Sequence, residues 1–403
     1  MTDHETFFAK GQQLPALFKH TLLVNYLMPF VTMTATRNAN RRVWYVDGYA
    51  GPGTYEPGGN GSAPAPGSPL LALYTARKVR SFTPSVDMRC IFVEANANHA
   101  AMLRNLVEDP QFSAIQPRVF EGAVEANLAT IVAEVGADPL LTFLDPFGTS
   151  LPWTQLRDSL LSRPRSIPNE ILLNMNVDAL RRIGALPRME ARYGPTIERL
   201  DALLGYTGWR TTFDAIYRPG EEGSATSAAL AVAAEFRRQV FEQSGYRSLA
   251  VPVRRDHGHE PVFLMTLFFT HPLALFKYAE AVSLANQKWR HEIAQKDAAK
   301  CLRLAGDMLW DDDFSPDEVR KKVDEDEKML DLRWTSAIIS TLRDLLNLRN
   351  DVPIAENLAD VYGGTFGLAR EKHLRKALKE LAAEGLTRPV KGDLSKVTIQ
   401  RAT

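Results

Sequence analysis

Val43-Trp44-Tyr45-Val46-Asp47-Gly48-Tyr49-Ala50-Gly51-Pro52-Gly53 is an apolar run that ends in an acid and passes into a turn carrying three glycines. Glycine lets a backbone approach a ligand closely and adopt positive φ. A carboxylate at the end of a buried strand can hold the ammonium, or the water network, of a ligand above it. A dinucleotide fingerprint needs the spacing G-x-G-x-x-G with a helix opening at once. Here the glycines fall at 48, 51 and 53, and the next helix waits for Ser68-Pro69, read as an N-cap followed by a first helical proline. The intervening loop Thr54 to Gly67, rich in Gly, Pro, Ser and Asn, is either a lid over the turn or tolerated loop length.

Outward from this turn, apolar runs alternate with helical stretches. Val43 to Asp47, Met88 to Glu94, Pro117 to Glu121, Leu140 to Asp145 and Glu170 to Asn174 read as strands. Leu70 to Lys78, Ala97 to Val107, Val124 to Val135 and Trp153 to Leu161 read as helices between them, after an opening helix Leu14 to Thr34 bent at Pro29. Such alternation predicts an α/β, Rossmann-like parallel sheet with helices on both faces. Leu249 to Arg255 and Val262 to Thr270, joined by a His-Gly loop, then read as an antiparallel hairpin. A helical insertion, residues 177–245, is expected either to overhang the carboxyl edge as a substrate cap or to form a plain packing layer.

The other strand ends supply the remaining candidate chemistry. Glu94 can accept both hydroxyl hydrogens of a ribose, against the alternative of a surface acid opening a helix. Glu121-Gly122 ends the next strand where an adenine would sit. Leu144-Asp145-Pro146-Phe147-Gly148 is similar to the Asp-Pro-Pro-Tyr motif of amino-methyltransferases, in which the carboxylate or carbonyl accepts a hydrogen bond from the target amine and an aromatic ring stacks on the substrate. Phe147 replaces the second proline and Gly148 the aromatic residue, so the match is partial. Arg182, beside Arg181 after the fifth strand, can bind an anionic substrate group or pair with an acid on its own helix. Lys19-His20 offers either ligand-side contacts or a solvated face, and His257, His259 and His271 lack a fourth ligand of metal-site spacing, so no metal is expected.

Beyond residue 300 the pattern changes. An acidic stretch with Asp311-Asp312-Asp313 and Asp324-Glu325-Asp326-Glu327 reads as a solvated linker or exposed helix, residues 301–331. Trp334 to Leu348, Ile354 to Tyr362 and Ala369 to Glu384 then read as three helices, the last with Leu374, Ala377, Leu378 and Leu381 on one face. With Arg388 to Val390 and Lys396 to Gln400 as a wing around Gly392-Asp393, residues 332–403 are expected to form a winged helix-turn-helix. Lys372, His373, Arg375, Lys376 and Lys379 crowd its presumed recognition helix, so nucleic acid and protein are both candidate partners.

Composition narrows the classes. The 403 residues carry 48 Lys plus Arg against 48 Asp plus Glu, so any basic surface is local rather than global. Cys90 and Cys301 are too few for a disulfide framework or a cysteine-rich metal site. Without an apolar signal segment at the start or a run of the ~20 apolar residues that a membrane span needs, a cytoplasmic location is expected and no membrane partner.

With these residues in view, the chain resembles the three-Cys-motif partner protein family, a group of methyltransferase-like proteins. The resemblance rests on Lys19-His20 with Leu22-Leu23 and Tyr26-Leu27, on the run from Tyr45 to Tyr55, and on Gly67-Ser68-Pro69-Leu70. It continues through Phe92-Val93-Glu94, Phe143 to Gly148 and Leu173-Asn174-Met175 followed by Arg181-Arg182, and spans residues 14–300 and the carboxyl-terminal helices as well. It implies a class I methyltransferase fold, S-adenosyl-L-methionine as cofactor, and a partner bearing a three-cysteine motif similar to radical enzymes with iron–sulfur clusters. It implies no particular methyl acceptor. Two functions follow as expectations: a methyltransferase acting on nucleic acid or on a product of the partner, or a non-catalytic cofactor-binding subunit of that partner. A nicotinamide dehydrogenase is disfavoured by the glycine spacing.

Overall fold

The strands that the apolar runs predict assemble into one sheet. They are β1 (Arg42–Asp47), β2 (Asp87–Glu94), β3 (Arg118–Glu121), β4 (Leu140–Leu144), β5 (Asn169–Asn176), β6 (Arg247–Val253) and β7 (Phe263–Phe269). The computed structural model describes residues 13–56, 64–146, 150–187, 190–305 and 316–402, and among these the sheet order is β3-β2-β1-β4-β5-β7-β6. β1 to β5 are parallel, whereas β7 runs antiparallel to both β5 and β6. The order 3-2-1-4-5 places a topological switch point between β1 and β4, where open α/β sheets bind ligands at the carboxyl ends of their strands. Register sets that edge level: Asp47 lies beside Phe92 and Phe143, and Glu94 beside Glu121. The central strands are continuous apolar runs because both of their faces are covered.

Helices α1 (Leu14–Ala35), α2 (Ser68–Phe82), α3 (Ala97–Val107) and α4 (Val124–Val135) precede the fourth strand, with Pro29 inside α1. After β4 come α5 (Trp153–Gln155) and a π-helical turn, Leu156–Leu161, where a regular helix was expected. The insertion holds α6 (Val177–Gly184), α7 (Gly194–Leu204), α8 (Trp209–Ile216) and α9 (Ser224–Ser244). These helices do not merely overhang the edge. Leu200, Leu204, Trp209, Phe213, Val232, Ala233, Phe236 and Val240 share one buried cluster with Val46, Ile91, Leu140, Ile171 and Phe268 of the sheet. The packing-layer alternative therefore describes the insertion.

One glycine locks that layer. Gly205 ends α7 with φ +78°, and a Cβ there would stand 2.3 Å from the Trp153 ring, which is itself buried. A Gly205→Ala variant is expected to lose roughly 2–4 kcal/mol of stability, from overpacking and from left-handed strain. Urea unfolding measures the loss; an unchanged midpoint would mean that Trp153 swings aside at no cost.

The chain divides into two units: residues 1–16 with 27–270, and residues 17–26 with 271–403. The boundary expected at residue 300 thus moves to the start of α10 (Pro272–Ala305). In the second unit α11 (Pro316–Leu348) begins well before Trp334, so of the two readings of the acidic stretch the exposed helix describes residues 316–331; Asp311, Asp312 and Asp313 lie outside the described residues. The reason is pairing: Glu327, 8% exposed, accepts two hydrogen bonds from Arg290 of α10, at 2.6 and 3.0 Å. β8 (Asp351–Pro353), α12 (Leu358–Tyr362), α13 (Glu371–Ala383) and β9 (Thr398–Gln400) complete the unit. Its core joins Trp334, Ile338 and Leu342 of α11 to Leu374, Ala377, Leu378 and Leu381 of α13, the face that helical spacing predicts. The expected hairpin is rearranged: β9 pairs with β8, and Thr387 with Arg401 form only an isolated bridge.

Candidate functional site

The carboxyl edge of β1, β2 and β3 holds a cleft of about 210 Å³, lined by Gly48, Tyr49, Glu94, Gly122, Glu125 and Ser150 among others. Each arrives there for a local reason. Gly48 stands where a Cβ would lie 2.7 Å from Leu144 Cδ2, so a larger residue would have to displace that buried side chain for the turn to descend onto β4. Gly51 has φ +64°, which directs its N–H at Glu94. The loop base beyond it is zipped, since Tyr55 N–H donates to Ala65 O at 2.9 Å and Gly67 N–H to Gly53 O at 2.8 Å. Residues 57–63 of that loop lie outside the described residues.

Glu94 is the anchor of the cleft. Only 4% exposed, its carboxylate accepts from Gly51 N–H and from Asn96 N–H, both at 2.7 Å. His99 Nδ1 lies 4.0 Å away. An ionised carboxylate offers about four lone-pair directions. Two are spent on the backbone, which leaves acceptor capacity for a ligand diol. Glu121, one strand further out, behaves differently: it pairs with Arg104 at 2.7 Å on the surface. Gly122, beside it, has φ +113° and donates its N–H to Glu94 O at 2.9 Å, so the β3 turn is tied to the β2 end.

Asp47 sits beneath the cleft and is fully buried. It accepts from Tyr49 N–H at 3.2 Å, from Tyr45 Oη at 3.3 Å and from the Ser68 hydroxyl. Ser68 is therefore not the N-cap that the sequence suggests; Gly67 takes that position, and the hydroxyl faces the acid instead. Burial pushes the Asp47 carboxyl up to about 7, against the opposing pull of those hydrogen bonds. This carboxyl shapes the turn, and its oxygens are engaged by Tyr45, Tyr49 and Ser68.

Asp145 and Pro146 follow β4 at the switch point, with Asp145 half-buried and Pro146 buried. Asn174 of β5, 1% exposed, donates its Nδ2 to Asp145 Oδ1 at 2.6 Å and fixes that carboxylate. Phe147 and Gly148 lie outside the described residues. Arg182 is exposed on α6, 3.6 Å from Asp178, and is not among the residues lining the cleft. Arg181 instead bridges Asp178 and Glu260, the latter at 2.7 Å. Cys90 is buried, and burial raises its thiol beyond the range of a reactive cysteine. Among the described residues no group of three His, Cys, Asp or Glu side chains is placed to hold a metal ion, and no helix is long and apolar enough to cross a membrane.

The structure thus brings Gly48, Glu94 and Gly122 together, sets Gly51 and Gly53 in the supporting turn, and leaves Glu121 and Arg182 in surface ion pairs. The sequence carries no assigned role for Tyr49, Glu125, Ser150 or Asn174, although Tyr49 and Asn174 stand in the runs that define the strand ends. Tyr49 was hidden in plain view between glycines; Ser150 Oγ donates to its hydroxyl at 3.2 Å, bridging the two sides of the cleft.

No described protein family and no curated protein matches the chain. Among solved structures, a candidate caffeoyl-CoA O-methyltransferase from Staphylococcus aureus is similar over 62% of this chain and 83% of its own, at 10% identity and a TM-score of 0.32. The methyltransferase domain of bacterial CtHen1-CN is similar over 62% of this chain and 99% of its own, at 13% identity and a TM-score of 0.30. At that distance it is the strand order and register of this chain that define its fold, a mostly parallel seven-stranded sheet with helices on its faces.

Proposed function

We propose that the amino-terminal unit binds S-adenosyl-L-methionine across the β1–β3 edge and is a methyltransferase of the class I type. The observation that carries this reading is Glu94: a buried carboxylate on two backbone amides, with acceptor capacity left, lining a cleft between two glycine turns. The strand order with β7 alone reversed against the parallel set supports it, because that is the plan of class I methyltransferases. Glu94 would hold the ribose hydroxyls, Gly48 and Gly122 would admit the adenosyl group, and Asp145 would face the methionine or acceptor side at the switch point. The cofactor supplies an electrophilic methyl group on sulfonium; the protein's part is to orient it and an acceptor nucleophile. The cleft is smaller than the ~300–1,000 Å³ of most ligand sites, so it fits one portion of the cofactor, the nucleoside, rather than the whole.

Isothermal titration with S-adenosylmethionine and S-adenosylhomocysteine tests the reading, with NAD as the control. Binding in the micromolar range by both sulfur nucleosides and none by NAD is expected. Silence with all three, or heat with NAD alone, would remove the cofactor assignment.

A second reading, a non-catalytic cofactor-binding subunit of a three-Cys-motif protein, is favoured by one observation. The titratable groups lining the cleft are Tyr49, Glu94 and Glu125. Burial raises the Tyr49 hydroxyl above the ordinary phenol range and Glu94 is engaged by amides, so neither is placed as a general base, and among the described residues lining the cleft no His or Lys stands with them. Single-turnover assays with the purified partner separate the two readings: methyl transfer favours the enzyme, and binding without transfer favours the subunit. In the carboxyl-terminal unit, the sequence helix, short strand, two helices and a returning strand supports the winged-helix reading.

A further inference from the structure

The carboxyl-terminal unit carries a second concavity, of about 520 Å³, between α13 and the segment Pro389–Leu394. Leu378, Ala382, Val390 and Leu394 form its apolar floor and walls, and Arg375 and Lys379 stand on its α13 side. From Arg370 to Thr403 the chain has nine Lys and Arg against four Asp and Glu, although its overall charge is balanced. The groove is thus apolar within and cationic around, a combination that selects among partners.

Nucleic acid is the poorer match. The cations expected to read it are largely engaged within the protein. Lys372 pairs with Asp331, and the buried His373 caps its own helix and bonds Asp331 at 2.6 Å. Arg375 donates Nε to Glu371 at 2.8 Å and Nη2 to Gly392 O at 2.8 Å. Phosphate backbones are bound by exposed, unopposed cations and gain nothing from an apolar floor. A peptide gains from both features, because apolar side chains can fill the groove while carboxylates meet the rim.

We propose that this groove docks an acidic peptide segment of a partner protein, its apolar side chains seated on Leu378, Val390 and Leu394 and its carboxylates facing Lys379. The assignment is independent of the cofactor site, which lies in the other unit.

Fluorescence anisotropy on the full-length chain tests it. The probe is a fluorescein-labelled peptide repeating Asp-Asp-Leu-Phe three times, compared with the same peptide carrying Lys for Asp and with a labelled DNA duplex. Two variants accompany the wild type: Lys379→Glu, which reverses a rim charge, and Ala383→Trp, which fills the groove from an exposed position. Thermal melts matching the wild type establish that both variants fold. Binding of the acidic peptide that weakens at least about tenfold in each variant is expected. No binding, equal binding of the lysine peptide, or binding that neither variant changes would overturn the proposal. Preference for the duplex, lost in Lys379→Glu, would overturn it in favour of nucleic acid.

Discussion

Replacing Glu94 with alanine is expected to abolish S-adenosylmethionine binding and to cost the amino-terminal unit about 2–4 kcal/mol, the largest loss from any single side chain lining the cleft. Both effects have one origin. The carboxylate accepts from Gly51 and Asn96, so its removal strands two backbone donors, one of them in a buried turn. A hydrogen bond to a charged acceptor contributes roughly 1.5–3 kcal/mol, and water entering the open cleft would recover part of it. Glutamine separates the roles: Glu94→Gln retains one acceptor oxygen and should lose less stability, but its amide offers a ribose diol only one acceptor. Cofactor at a hundred times its Kd raises wild-type stability by about 2.7 kcal/mol through mass action, and neither variant should show that gain at the same concentration. Urea unfolding with and without S-adenosylmethionine provides both numbers. A Glu94→Ala protein that binds the cofactor as the wild type does would sink the ribose role, even if its stability fell.

What could be read from the sequence, and what could not, divides along the range of the interactions involved. The β1, β2 and β4 runs were legible because strands buried on both faces must be apolar throughout, and α3 and α4 because their periodic faces are local facts. The end of β2 at Glu94 was legible for the same reason: an acid closes the apolar run. Ser68 was misread as a cap because the competing acceptor, Asp47, is distant in sequence and meets it only in the fold. Residues 316–331 read equally as a linker or an exposed helix because their charges are dense, and it is Arg290, holding Glu327 from another helix, that goes with the helix. Asn174 stood in a strand-end run without an assigned role, since nothing local announces that its amide faces Asp145. Tertiary partners, invisible to composition and spacing, decide each of these cases.

An Asp47→Asn variant is expected to be more stable than the wild type above pH 7, by up to about 4 kcal/mol, with the gain vanishing near pH 4. The carboxyl is fully buried, and burial lifts it from its ordinary value near 3.8 to about 7. The folded state therefore keeps a proton that the unfolded chain releases. Since the native form binds more protons between these values, stability falls as pH rises through that window. Below the unfolded value both states are protonated and the contribution is fully present; above the folded value both are ionised and a buried charge remains. Asparagine has nearly the same shape and can never ionise. Its oxygen can accept from Tyr49 N–H, and the Tyr45 and Ser68 hydroxyls can rotate to accept from its amide. Thermal melts of the two proteins from pH 5 to 8 give the difference directly, and other carboxyls cancel in it. A difference that stays flat with pH would show that Asp47 is ionised in the fold throughout, held by its hydrogen bonds against desolvation. A rising difference would establish a carboxyl that holds its proton up to about pH 7 beneath the glycine turn.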